Sequence, residues 1–64
     1  MDIADIRSKT DADLRTFLAE QRSLLEDLRF RAIARELKNV HELQHARRMI
    51  ARVLTVLHER TLHA

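Results

Sequence analysis

Sixty-four residues with no Cys, Gly, Pro, Trp or Tyr, only two Phe and a formal net charge of +2 allow one domain at most. They exclude disulfide staples, thiolate metal sites and a core built on large rings. Ala, Leu, Arg, Glu, Lys, Gln and Met make up more than half of the chain, so the expected fold class is all-α. The longest uncharged run is far shorter than a membrane span, and Met1-Asp2-Ile3 lacks a basic segment leading into an apolar one. A soluble, cytoplasmic protein is therefore expected.

Three side-chain acceptors, each followed three positions later by an acid, mark helix starts: Asp2 with Asp5, Thr10 with Asp13, and Asn39 with Glu42. Only the third is a close fit to a capping box, because Asp reaches back less well than Glu. The spacing predicts a short helix over about 3–8, a long one over about 11–35 and a second long one over about 40–60. In the first long helix Leu14, Leu18, Gln21, Leu25, Leu28 and Ala32 alternate steps of four and three, which places them in one stripe. Beside that seam Arg15, Arg22 and Arg29 recur every seven residues, with Asp13, Glu20 and Asp27 as a parallel acidic line. A solvated face stitched by pairs such as Arg22 with Glu26 accounts for these charges as well as a ligand does. Phe30, Ile33 and Leu37 form a second apolar patch away from the seam. It either closes the hairpin tip or contacts another macromolecule, which makes these residues candidates for protein contact.

The last helix carries a matching seam at Leu43, Ala46, Ile50, Val53 and Leu57, and little more than Glu36-Leu37-Lys38 separates the two long segments. So short a connection folds them back on each other. The expected architecture is an antiparallel two-long-helix hairpin, coiled-coil-like, with a short N-terminal helix, as a single domain over 1–64. Met49, Leu54 and Val56 widen the last apolar face beyond what one partner helix covers, and a docked partner would remove that exposure.

Opposite the last seam, Arg48, Arg52 and Thr55 make a basic, hydrogen-bonding rail that His45 and His41 extend backward. Residues 35 to 64 hold six basic and three acidic side chains, against four and five in residues 11 to 34. An electropositive helix bearing Arg forks suits phosphates. His41 and His45 have the spacing of a shared metal site, but no further Cys or His stands nearby, so polar contact is the better reading. No nucleophile–base arrangement and no Gly-rich loop is present, and Glu26 and Asp27, adjacent on a helix, point apart. No catalytic residue, metal or cofactor is expected.

Several pieces of the chain are similar to bacterial ribosomal protein twenty-nine of the large subunit, in one ungapped register over nearly the whole length. They are Ile6-Arg7-Ser8-Lys9-Thr10 followed by Asp13-Leu14, then Leu28-Arg29-Phe30, and above all Ala46-Arg47-Arg48 followed by Ile50-Ala51-Arg52-Val53, Thr55-Val56-Leu57 and Glu59-Arg60. The resemblance implies a structural helical hairpin, not an enzyme, bound to large-subunit ribosomal RNA beside the peptide exit tunnel. Its neighbours would be ribosomal protein twenty-three and, where the nascent chain emerges, trigger factor and signal recognition particle. By matching positions it implies RNA contacts at Arg7, Lys9, Arg29, Arg47, Arg48, Arg52 and Thr55. Two departures stand out. The family usually has Gly in the turn followed by Gln-Leu where this chain has Arg35-Glu36-Leu37, so the tip is expected to run helical further or to close differently. Met49 replaces a residue that is commonly polar, which marks it as a protein-contact candidate or as part of a wider core. The rival reading, from a different class, is a non-ribosomal hairpin adaptor that self-associates or binds a protein through its excess apolar surface.

Overall fold

Each helix begins at a residue whose short polar side chain accepts a hydrogen bond from the first turn, and these caps set the segmentation. In the computed structural model, which describes residues 2–63, Asp2 accepts from the Ala4 N–H at 2.7 Å, Thr10 from Asp13 at 3.1 Å and Asn39 from His41 at 2.9 Å. They open α1 (Ile3–Arg7), α2 (Asp11–Ile33) and α3 (Val40–Leu62). Met1 and Ala64, which the expected single domain includes, lie outside the described residues. The caps fall where the sequence places them, and they differ in the amide they reach. Thr10 reaches the third amide of its helix, whereas Asn39 closes the smaller ring to the second, as short planar side chains do in Asx turns.

The two long helices pack against each other in opposite directions, because Leu14 and Leu18 near the start of α2 meet Val53 and Val56 near the end of α3. A second cluster nearer the tip joins Leu25, Leu28 and Ala46, and Ile50 packs against both. Gln21, the one polar member of the expected α2 seam, is half-buried between the clusters. The seam on α3 is rotated from the expected line. Ala46, Met49, Val53 and Val56 are buried, while Leu43, Ile50 and Leu57 are only half-buried at its edge.

The rotation has a cause in α1, which packs on α3 and inserts Ile6 between the long helices beside Leu14, Val53 and Val56. α3 therefore buries a stripe wide enough for two neighbours. Burial also decides between the readings left open by the sequence, a wider core for Met49 and closure of the tip for Leu37. Met49, a protein-contact candidate, is only 2% exposed, and Val56 is equally covered; of the three residues thought to overflow the seam, only Leu54 remains on the surface, at 40%. Leu37, also a contact candidate, folds back onto the Leu25–Leu28–Ala46 cluster and is half-buried. Ala32, expected in the seam, is exposed because the chain leaves the helix one residue later.

The tip closes without glycine. α2 stops at Ile33, two residues before the expected end, and Arg35 takes a left-handed backbone with φ 58°. The Glu36 N–H donates to the Arg31 carbonyl at 2.8 Å and the Arg35 N–H to that of Ala32 at 3.1 Å. This pair of bonds is the Schellman arrangement, which satisfies the orphan carbonyls of a helix end and normally recruits Gly. Arg35 has a Cβ that crowds the carbonyl there, a strain of about 1–2 kcal/mol.

Two outcomes are expected in urea or thermal unfolding. Arg35→Gly raises stability by about 0.5–1 kcal/mol, the relieved strain less the entropy that Gly adds to the unfolded chain; unchanged or lower stability would show that the left-handed turn is not strained. Leu14→Ala lowers stability by about 2–5 kcal/mol, enough to leave so small a domain largely unfolded by circular dichroism.

Candidate nucleic-acid interface

At about 3.6 residues per turn, the positions of α2 and α3 that escape the seam sort onto two flanks of the hairpin and two outer faces. On one flank α2 presents Arg29 and α3 presents Arg47. Both border a shallow groove of 260 Å³ with Leu25, Ile50, Ala51 and Leu54. On the other flank His41 and His45 border a larger groove of 480 Å³ with Leu24, Leu28, Asn39 and Glu42. Arg48, Arg52 and Thr55 lie along the outer face of α3, all exposed.

The residues carried over from the resemblance are thus not one surface. Arg29 and Arg47 come together across the seam; Arg48, Arg52 and Thr55 follow one another on a single helix, and His41 and His45 continue their line. Arg7 sits at the far end, where its guanidinium donates to both carboxylate oxygens of Glu59 at 3.2 and 3.4 Å. Both side chains are about half exposed, so the pair adds little stability, but it aims the Arg7 fork along α3. Lys9 is exposed in the turn between α1 and α2. The Thr55 hydroxyl donates to the Ala51 carbonyl at 2.9 Å, which leaves its oxygen to accept. Among the described residues, ion pairs occupy Arg7, Arg31 and Arg60 and leave Arg29, Arg47, Arg48 and Arg52 without an acidic partner. The two histidines are not joined by enough further donors, since among the described residues no three His, Cys, Asp or Glu side chains are grouped to hold a metal.

Of the apolar candidates, Phe30 and Ile33 stand out from the tip end of α2 at 70% and 83% exposure. Leu37 and Met49 belong to the interior, as described above.

Arg60 organises the end of the hairpin and was not singled out by its sequence position. One of its nitrogens donates to the carbonyls of Arg7 at 3.1 Å and Lys9 at 2.7 Å, and another pairs with the Asp11 carboxylate. The fork thus ties α1, the following turn and the first residue of α2 to the last turn of α3. Its sequence signal was its position on the seam side of α3, where a cation needs carbonyl partners; that the partners lie about fifty residues earlier is visible only in the fold.

The fold defines a small helical-hairpin protein whose flank and outer face carry exposed guanidinium groups without acidic partners among the described residues. More specifically, the chain belongs to the ribosomal L29 protein family, whose model matches residues 4–60. Large ribosomal subunit protein uL29 of Desulforudis audaxviator is 44% identical over 62 residues, covering 97% of this chain and 92% of its own length. The uL29 of Pseudothermotoga lettingae is 39% identical over 62 residues (97% and 94%), and that of a Synechococcus species 41% over 58 residues (91% of each). No solved structure matches the chain significantly. No helix among the described residues is long and apolar enough to cross a membrane.

Arg60→Lys, which keeps the charge but loses the fork, is expected to cost about 0.5–1.5 kcal/mol for the hydrogen bonds lost, since the solvent-exposed carbonyls regain water. Amide hydrogen exchange should speed up selectively over residues 3–9; uniform acceleration along the chain would mean that α1 is not held by this contact.

Proposed function

We propose that the protein is a structural constituent of the large ribosomal subunit in the cytoplasm, binding large-subunit ribosomal RNA at the rim of the peptide exit tunnel and catalysing nothing. Membership of the ribosomal L29 family supports the ribosomal part of this reading. The RNA-binding part is carried by one observation: Arg29, Arg47, Arg48 and Arg52 are exposed without acidic partners among the described residues. Unpaired guanidinium groups displace counterions from phosphates, so affinity falls steeply with salt. Arg7 and Lys9 extend the contact to the α1 end, and Thr55 adds a hydrogen bond beside Arg52. Recognition follows RNA shape, because side chains cannot read the deep groove of folded RNA and, with no Trp or Tyr, the chain has Phe30 as its one exposed large aromatic ring among the described residues.

Phe30 and Ile33 are left for a protein neighbour. In this reading that neighbour is ribosomal protein twenty-three, with trigger factor and signal recognition particle arriving when a nascent chain emerges. The self-associating adaptor loses the argument from Met49 and Val56, which are core residues; the apolar residues left exposed are Phe30, Ile33 and Val40 around the tip and Ile3, Leu24, Leu54 and Leu62 elsewhere.

Tagged protein in a cell lysate should sediment with the large subunit in a sucrose gradient. Changing Arg48 and Arg52 together to Ala should weaken that association and make the salt dependence of binding to large-subunit RNA shallower by about 2 in log–log slope. Migration only as free protein or a small oligomer, indifferent to those substitutions, would overturn the ribosomal reading.

A further inference from the structure

We propose that α2 carries a second phosphate-binding face, Arg15, Arg22 and Arg29 closed toward the tip by Arg47 of α3, so that RNA is held on one flank of the hairpin as well as along the outer face of α3. The inference rests on the RNA-binding reading above and adds to it a direction and two residues, Arg15 and Arg22.

Seven-residue spacing keeps the three α2 side chains nearly in line, drifting about 20° per step, with about 10.5 Å between successive positions. All three are exposed, and none has an acidic partner among the described residues. The local pair that would have made this a merely solvated face, Arg22 with Glu26, is not among the ion pairs formed; the i,i+4 pair that does form is Arg31 with Asp27, at 3.1 Å. Two other acids lie near the line. Asp11 is held by Arg60, which leaves Glu26 as the one acid within the row. The acidic line Asp13, Glu20 and Asp27 falls on the opposite flank of α2 by the same helical geometry, so it does not cancel the field of the arginines.

Across the seam the row is completed from the other helix, because Arg29 and Arg47 border the same 260 Å³ groove. Two helices thus converge on one site through side chains that stay charged and fork to match phosphate. A protein partner fits this flank less well. Interfaces between proteins have a largely apolar centre, whereas between Arg15 and Arg29 the flank offers Ala19 and Glu26 from α2 and Leu54 from α3, and the exposed Ile33 follows in the same line only beyond Arg29, at the tip.

The test compares the full-length protein with Arg15→Gln/Arg22→Gln in binding to protein-free large-subunit RNA over a series of salt concentrations, with helicity and Tm checked by circular dichroism. Gln has nearly the helix propensity of Arg, so both variants should fold alike. The double variant is expected to bind more weakly at low salt, with a log–log salt slope shallower by about 2, whereas Glu20→Gln on the opposite flank leaves the slope unchanged. A wild-type slope in the double variant, alongside a reduced slope in Arg48→Ala/Arg52→Ala, would overturn the second face while leaving the RNA reading intact. Absence of salt-dependent RNA binding by the unmodified protein would overturn both. An unchanged RNA slope combined with loss of co-sedimentation with the large subunit would assign the flank to an acidic protein surface and equally refute a phosphate-binding row.

Discussion

The contact on which the remaining structure depends is the insertion of Ile6 beside Leu14, Val53 and Val56. A hairpin of two helices has one seam, and each helix in it buries a single stripe. α3 is apolar over more than one stripe, and at its C-terminal end Ile6 of α1 covers Val56 and Val53. Docking α1 sets the rotation of α3 about its axis, and that rotation decides which cations face out. With Met49 and Val56 turned inward, Arg47 comes to the flank beside Arg29 while Arg48 and Thr55 are driven to the outer face. The burial of a few aliphatic groups, each worth about 1.5–3 kcal/mol when complete, thus positions the guanidinium groups with no polar contact of their own.

The helix count, the antiparallel return and most of the α2 seam were legible in the sequence because they follow from local signals: caps, period and a short connection. What was not legible depended on contacts distant in sequence. The apolar pattern of α3 is compatible with two adjacent seams, one through Ile50 and Leu57 and one through Met49 and Val56, and the contact of α1 with Val53 and Val56, which favours the second, is distant in sequence. The division of the carried-over arginines between a flank and an outer face follows from the same choice. Arg60 was hidden for a related reason, since backbone carbonyls in a distant turn leave no mark in the residue code.

Arg35 shows the limit of propensity from the other side. A helix end with no Gly invites the expectation of a longer helix, yet Arg35 adopts the left-handed conformation that usually recruits Gly. The two amides that it and Glu36 donate to Ala32 and Arg31, together with Leu37 returning onto the tip cluster, outweigh the local strain. Continuing the helix would have satisfied the same carbonyls but left Leu37 on the wrong side and moved α3 off the seam. Tertiary burial here overrides a residue preference of about 1–2 kcal/mol.

The shape of the molecule links stability to partnership. Its extents are 44 × 17 × 16 Å, and it exposes 4993 Å², against about 4,300 Å² for a typical globular chain of 7.6 kDa. An elongated hairpin therefore buries less than its length suggests and has little stability in reserve. Unpaired arginines crowded on one flank add mutual repulsion in the free state, and phosphates on that flank reverse the sign of the same interaction. Any ligand that binds only the folded hairpin also stabilises it by mass action, by about 2.7 kcal/mol at a hundredfold excess over Kd. On the reading proposed above, the guanidinium groups without acidic partners are thus a cost to the isolated protein that an anionic partner turns into a gain.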